Sequence, residues 1–315
     1  MSNSQTILEL GQHLERVISL TQMCGGSVFY VSNNSTVFPN AVATTSTNQP
    51  NNMPNRGKTP STPVNSIDYA VGLCTAGRGD LIVVLPGHSE EINSAGDLDL
   101  DVAGITIIGL GNGASQAKIR FTTATTADMD VDAANITIIG MHFVAAFADV
   151  AAAIDVNADD FTLKNCRFSD EEADENAKIW VQDAAAGGSD RISIIDCHCV
   201  ALDAANTHFV NFSGTGTGHV IKGNVLIGDW GTMCIGGAGV VTATTVMDNH
   251  ISNAATDVDS CINFAATATG ICHRNLVAGG AAQANYITAT AMSVNQNYGA
   301  VVTEDLSGIL EPIAT

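Results

Sequence analysis

The chain is poor in aromatic rings, in positive charge and in long apolar runs. Only 5% of its residues are Phe, Trp or Tyr, too little ring area for the deep centre of an ordinary globular domain and better suited to thin stacked strands. Lys and Arg together number 12 against 32 Asp and Glu, a formal charge of −20. A surface of that sign is repelled by nucleic acid and by anionic lipid, and neither is expected as a partner. No apolar run approaches the length of a membrane-spanning helix. Glu9, His13, Glu15 and Arg16 interrupt the apolar part of residues 1–25, so no secretory leader is expected there. The eight cysteines are scattered, with no Cys-x-x-Cys pair. That usage predicts free, buried thiols and assembly in a reducing cytoplasm.

What the chain does have is a six-residue phrase repeated eight times: Ile105–Leu110, Ile136–Met141, Phe161–Cys166, Ile192–Cys197, His219–Asn224, Thr244–Asn249, Gly270–Asn275 and Met292–Asn297. The starts are 31, 25, 31, 27, 25, 26 and 22 residues apart. Self-similarity at this period means a solenoid whose rungs stack to bury a shared face. The sixth position reads Leu110, Met141, Cys166, Cys197, Asn224, Asn249, Asn275 and Asn297. Four asparagines in one register, just after an apolar strand, predict an inward ladder of amides bonded from rung to rung at about 4.8 Å. Leu, Met and Cys fill the same column by packing. A leucine-rich repeat would need Leu-x-x-Leu-x-Leu, which is missing. The expected fold is all-β, a right-handed parallel β-helix.

A second register precedes each phrase: Asp97–Val102, Asp128–Asp132, Ala153–Asn157 and Lys178–Gln182, with later equivalents at Val210–Phe212, Ile262–Phe264 and Tyr286–Ile287. Strict alternation points Leu98, Leu100, Met129, Val131, Ile154, Val156, Ile179 and Val181 inward. Ser169–Asn176 is expected to be an acidic outward loop.

Ahead of the rungs, Ser4–Met23 has Ile7, Leu10, Leu14, Val17 and Ile18 at helical spacing on one face, with Gly25-Gly26 as a stop. This helix either caps the core or docks on a neighbour. Residues 32–65 are rich in Asn, Thr, Ser and Pro and read as a long arm. Gly57-Lys-Thr-Pro-Ser-Thr-Pro63 leads into a short capped helix around Asp68. Then Gly77-Arg-Gly-Asp80 turns into the apolar strand Leu81–Leu85, closed by Pro86-Gly-His88. This series resembles the capping module of pectate-lyase-like right-handed β-helix proteins, of a kind frequent in tailed bacteriophages. The resemblance runs over residues 57–300. It implies a fold shared by lyases, hydrolases, spikes and inert virion parts. The division read from the chain is 1–56 for helix and arm, 57–88 for the capping module, 89–302 for the rungs and 303–315 for a C-terminal cap.

Four constellations invite a chemical reading. Asp99, Asp130 and Asp155, flanked by Asp97, Asp101, Asp128 and Asp132, should stack outward on one face. Carboxylates about 5 Å apart repel, and such a column calls for water, hydrogen bonds or a hard cation such as Ca²⁺. A solvated acidic face is the plainer reading, and no other cofactor is expected. Glu171, Glu172, Asp174 and Glu175 offer an acid–base pair, with Trp180 and Trp230 as the only indoles for sugar stacking. Polygalacturonases of the resembled family carry an Asn-Thr-Asp, Asp-Asp, Gly-His-Gly, Arg-Ile-Lys series; this chain has Asp159-Asp160 and Gly218-His219 but no Asn-Thr-Asp, Gly-His-Gly or Arg-Ile-Lys. Cys197-His-Cys199 supplies too few ligands on one face for zinc, and Gly214-Thr-Gly-Thr-Gly218 lacks the Lys of a phosphate loop.

The expectation is therefore a non-enzymatic virion protein of a tailed phage, a homotrimeric decoration or spike-like component held to the capsid or another virion protein through its N-terminal segment. The alternatives are a polysaccharide-degrading tailspike enzyme and a non-catalytic receptor- or carbohydrate-binding fibre domain.

Overall fold

The computed structural model describes residues 25–34, 57–183, 187–201, 203–255, 261–279, 286–301 and 308–310. The expected helix Ser4–Met23, with its stripe from Ile7 to Ile18, lies outside the described residues, as do residues 35–56 of the arm. Within them the chain is a parallel β-helix of three long sheets, two of ten strands and one of eight.

The phrase strands build one ten-stranded sheet, from Val28–Val31 and Leu81–Val84 through Thr106–Gly109 to Ser293–Asn295. From each phrase the chain turns into a second sheet, which runs from Ser89–Ile92 to Asn297–Val301 and is closed by Gly308–Leu310, its one antiparallel strand. It then passes into a third sheet, Leu98–Asp99 to Ile287–Thr288, before the next phrase. Stacking is in register. Ile107, Ile138, Leu163, Ile194, Ile221, Val246, Cys272 and Val294 form one column down the inside of the phrase sheet. The period-2 rule explains it: in each phrase the first and third residues face in, while the second and fourth face out.

The corners are made by single residues in the left-handed region. Between phrase and second sheet these are Gly140, Asn165, Asp196, Gly223, Asp248, Arg274 and Gln296, with φ of 52 to 72°. One such residue reverses the alternation, so position six swings inward. Gly, Asn and Asp tolerate this conformation best, which accounts for most of the column. A matching set (Gly104, Asn135, Asp160, Arg191, Gly218 and Ala243) sits just before six of the phrases. The first rung departs from the pattern. There the strand continues through Gly109, with positive φ only at Gly111 and Gly113, next to the 3-10 turn Gly113–Ser115. Leu110, expected inward, instead packs half-buried on the outer face of the sheet.

Two further expectations are corrected. Trp180, on the outward parity of its strand, is fully buried beside Phe168, as is Phe209. In the following rungs the amides of Phe209 and Val210 share one carbonyl, Cys234 O, and those of Cys234 and Ile235 share Cys261 O. Such a bulge turns two consecutive side chains inward, which simple alternation forbids. The acidic loop is also shorter than expected. Ser169 and Asp170 belong to the strand Arg167–Asp170, and Asn176 is buried, its Oδ1 accepting from Asp149 N at 2.9 Å. The strand Ile235–Gly237, which the sequence reading passed over, completes the third sheet.

The N-terminal end is plugged by the described helix, α1 (Ile67–Val71), capped by Ser66 Oγ on Tyr69 N at 3.2 Å. Ile67, Ala70 and Val71 join the main core. Buried polar contacts fasten this module. His88 Nδ1 accepts from Asn33 N (3.1 Å), its Nε2 meets Glu90 Oε2 (2.7 Å), and that oxygen also accepts from Ile67 N (2.9 Å). Asp80 accepts from Ser27 N, Thr75 N and the Arg78 guanidinium at 2.6–2.7 Å. Burial alone would raise its pKa, but those donors together hold it below the usual carboxylate range.

Candidate functional site

Two polar columns run along the solenoid, one inside and one outside. The inner one is the sixth position of the phrase. Met141, Cys166, Cys197, Asn224, Asn249, Asn275 and Asn297 are all buried there. Asn224 Oδ1 accepts from Cys197 N at 2.8 Å. Each lower amide then repeats one pattern. Asn249 Oδ1 accepts from both Asn224 N (3.1 Å) and Asn224 Nδ2 (2.9 Å), while Asn249 Nδ2 donates to Ile221 O and to Asn275 Oδ1, both at 2.9 Å. Asn275 hands the chain on to Asn297, whose Nδ2 donates to Cys272 O at 3.0 Å. An amide has both donor and acceptor atoms, so a stack of them satisfies itself. Cys166 and Cys197 make weaker contacts, with Sγ 3.4 and 3.5 Å from the carbonyls of Lys164 and Ile195.

The outer column belongs to the third sheet, where Asp99, Asp130 and Asp155 are direct neighbours in register, followed by Gln182 and Asn211. Carboxylate oxygens of Asp128, Asp130 and Asp155 come within 4.8 Å of one another. Asp99 stacks on Asp130 but is not a member of that group. The flanking acids are partly committed elsewhere. Asp97 caps its own turn through Asn93 N (2.8 Å) and Ser94 N (3.1 Å), Asp128 accepts from Gly96 N (2.8 Å), and Asp132 accepts from Asn157 Nδ2 (2.8 Å). One oxygen each of Asp99 and Asp155 is buried with no hydrogen-bond partner. Desolvation first, then the neighbouring carboxylates, pushes Asp130 and Asp155 up to about 6.

A group of three carboxylates at this separation matches the oxygen set of a hard divalent cation, whose ligands stand about 2.3–2.6 Å from the ion. The unpartnered Asp155 oxygen fits the same role. Sequence reasoning named Asp128 only as a flank. The structure brings it into the cluster, where its Oδ1 also accepts from Gly96 N.

The other candidates separate in space. Glu171 is ion-paired with Arg120, which also binds Glu91 at 2.6 Å. Trp180 and Trp230 both lie in the interior within one aromatic cluster with Phe168 and Phe209, so neither offers a stacking platform. Cys197 and Cys199 face the core while His198 is exposed. Burial pushes the Cys261 and Cys272 thiols up to about 12, the state of structural cysteine. The stripe Ile7, Leu10, Leu14, Val17 and Ile18 lies outside the described residues. No protein family, curated protein or solved structure matches this chain.

Proposed function

We propose that this chain is a non-enzymatic structural protein of a virion, a decoration or spike-like component of a tailed-phage particle that acts as a homotrimer and attaches through residues 1–56. What carries the reading is the disposition of its reactive side chains. Among the described residues the indoles are buried and the thiols lie in or against the core, the Asn column is saturated internally, and Glu171 of the acidic loop is paired with Arg120. The polypeptide spends its chemistry on rigidity, as a shell or spike component requires. Resemblance of residues 57–88 to the capping module of phage β-helix proteins supports the same assignment.

Within this reading Asp128, Asp130 and Asp155 hold a Ca²⁺ ion that fixes the outer face. The ion would supply charge neutralisation there and take no part in chemistry.

The test is protein mass spectrometry of density-purified particles released from the cell that encodes the chain. A fixed, many-copy stoichiometry in intact particles is the expected result, and absence from them overturns the proposal. Incubation of the same protein with host-surface polysaccharide addresses the rival tailspike and fibre readings through depolymerisation or retention.

A further inference from the structure

The inner column changes chemistry where the amides end. From Asn297 to Asn224 each rung is tied to the next by side-chain hydrogen bonds, and Asn224 Oδ1 still reaches Cys197 N at 2.8 Å. Beyond it stand two thiols. Cys166 and Cys197 are free, buried and 31 residues apart, at the same position of consecutive phrases. Lys164 pairs with Ile195 on one side of them and Arg167 with His198 on the other, so the two cysteines are direct rung neighbours. Adjacent strands stand about 4.8 Å apart, inside the range of about 4.4–6.8 Å that a disulfide spans between Cα atoms. The left-handed corner residues Asn165 and Asp196 turn both side chains the same way, into the core. There the thiols lie within hydrogen-bonding reach of each other.

We infer that Cys166 and Cys197 are the site of an internal disulfide, formed on exposure to a peroxide, that staples the third and fourth phrases where the amide ladder stops. One sulfur gives an electron pair to a peroxide oxygen, the O–O bond breaks, and a sulfenic acid and one water result. The second sulfur attacks the sulfenic sulfur, the S–O bond breaks, and the hydroxyl leaves with the remaining thiol proton as a second water. Two thiols are thereby oxidised and one hydrogen peroxide is reduced to two waters. Asn165 and Asp196, each one residue from a cysteine of the pair, are exposed. The pair is therefore one layer beneath solvent at this corner, within reach of so small an oxidant.

The other described thiols are placed differently. Cys199 has Phe168 and Leu226 as rung neighbours, and Cys272 has Val246 and Val294. Cys74 Sγ donates to Ala70 O at 3.3 Å. Cys234 and Cys261 follow one another in the third sheet, but Cys261 Sγ is turned to Ala278 O at 3.7 Å. This inference does not depend on the virion reading. If both hold, the pair stays reduced in the cell and closes after the particle is released.

The test compares the purified full chain after hydrogen peroxide with the same chain kept under reductant. A non-reducing digest of the treated protein should yield two peptides joined through Cys166 and Cys197. Its melting temperature should stand several degrees above that of the reduced protein, because the link closes a long loop of the unfolded chain. Cys166→Ser given the same peroxide should show neither the link nor the rise, which separates the link from oxidation of methionine. Cys197→Ala, which keeps an apolar side chain in the column, is a second control. Thiols that stay free or are oxidised singly, a link confined to other cysteines, or a melt unchanged by the link overturns the inference. Persistence of the rise in either variant overturns it equally.

Discussion

The inner and outer polar columns share one geometry and have opposite energetics. Both repeat a side chain at the strand spacing, about 4.8 Å. Inside, Asn224 to Asn297 stack as amides, each giving and taking hydrogen bonds. Outside, Asp99, Asp130 and Asp155 stack as acceptors alone, and two of their oxygens are buried unpartnered. A ladder stabilises a solenoid when its rung carries complementary atoms. A ladder of like charges must borrow protons or a cation.

The largest effect should come from breaking the inner column. Asn249→Leu leaves Asn224 N and one Asn224 Nδ2 hydrogen unpaired in the core and removes the side-chain donor to Ile221 O, at a cost of about 3–5 kcal/mol in denaturant unfolding. Asn211→Leu is the control. Asn211 is half-buried on the outer column and donates only to Gln182 Oε1, so its loss should cost under about 1 kcal/mol. Equal losses would remove the distinction between the columns.

Converting the outer column into the inner kind should have the opposite sign. The raised pKa values of Asp130 and Asp155 mean that the folded protein holds protons more tightly than the unfolded chain. Stability therefore falls as pH rises from about 4 through about 6. Asp130→Asn with Asp155→Asn should shrink that fall, leaving the part due to other raised carboxyls such as Asp183, and add about 1–2 kcal/mol at pH 7.5, after discounting for partial solvent exposure. At pH 4 or below the variant and the parent should melt together. In the parent, millimolar Ca²⁺ should raise the melting temperature above pH 6 and lose its effect as the carboxyls protonate. Either Asp130→Asn with Asp155→Asn or Asp99→Asn with Asp130→Asn should weaken the calcium response, the first more than the second, because Asp99 stands outside the three-carboxylate group. Identical melts with calcium and with chelator would leave a solvated face.

The smallest effect concerns the corners that place both columns. Ala243 sits at φ 52°, a conformation that costs a residue with a Cβ about 1 kcal/mol. Ala243→Gly should recover up to about 0.5 kcal/mol once the entropy of the unfolded chain is counted. A loss of stability would mean that the Ala243 methyl contributes packing that outweighs its strain.

Much of this was legible beforehand, for a reason visible in particular residues. The repeat fixed the rungs, and Asn224 to Asn297 marked an inward column because amide ladders need one register. The left-handed corners were also written in Gly140, Asn165, Asp196, Gly223 and Asp248, a signal passed over because it spans several residue types. Ile235–Gly237 escaped notice because Gly-Gly is a weak strand signal, although its rung neighbours pair with it all the same.

Sequence alone determined that the chain is a stacked β-helix, which faces alternate, and where polar ladders run, because periodicity and side-chain chemistry are local properties. Tertiary structure decided which way Leu110 and Trp180 point, because a single corner residue or one shared carbonyl flips the parity of a strand. It also decided that Asp128 rather than Asp99 completes the carboxylate group. That choice depends on the distance between rungs brought together by turns, which no run of letters carries.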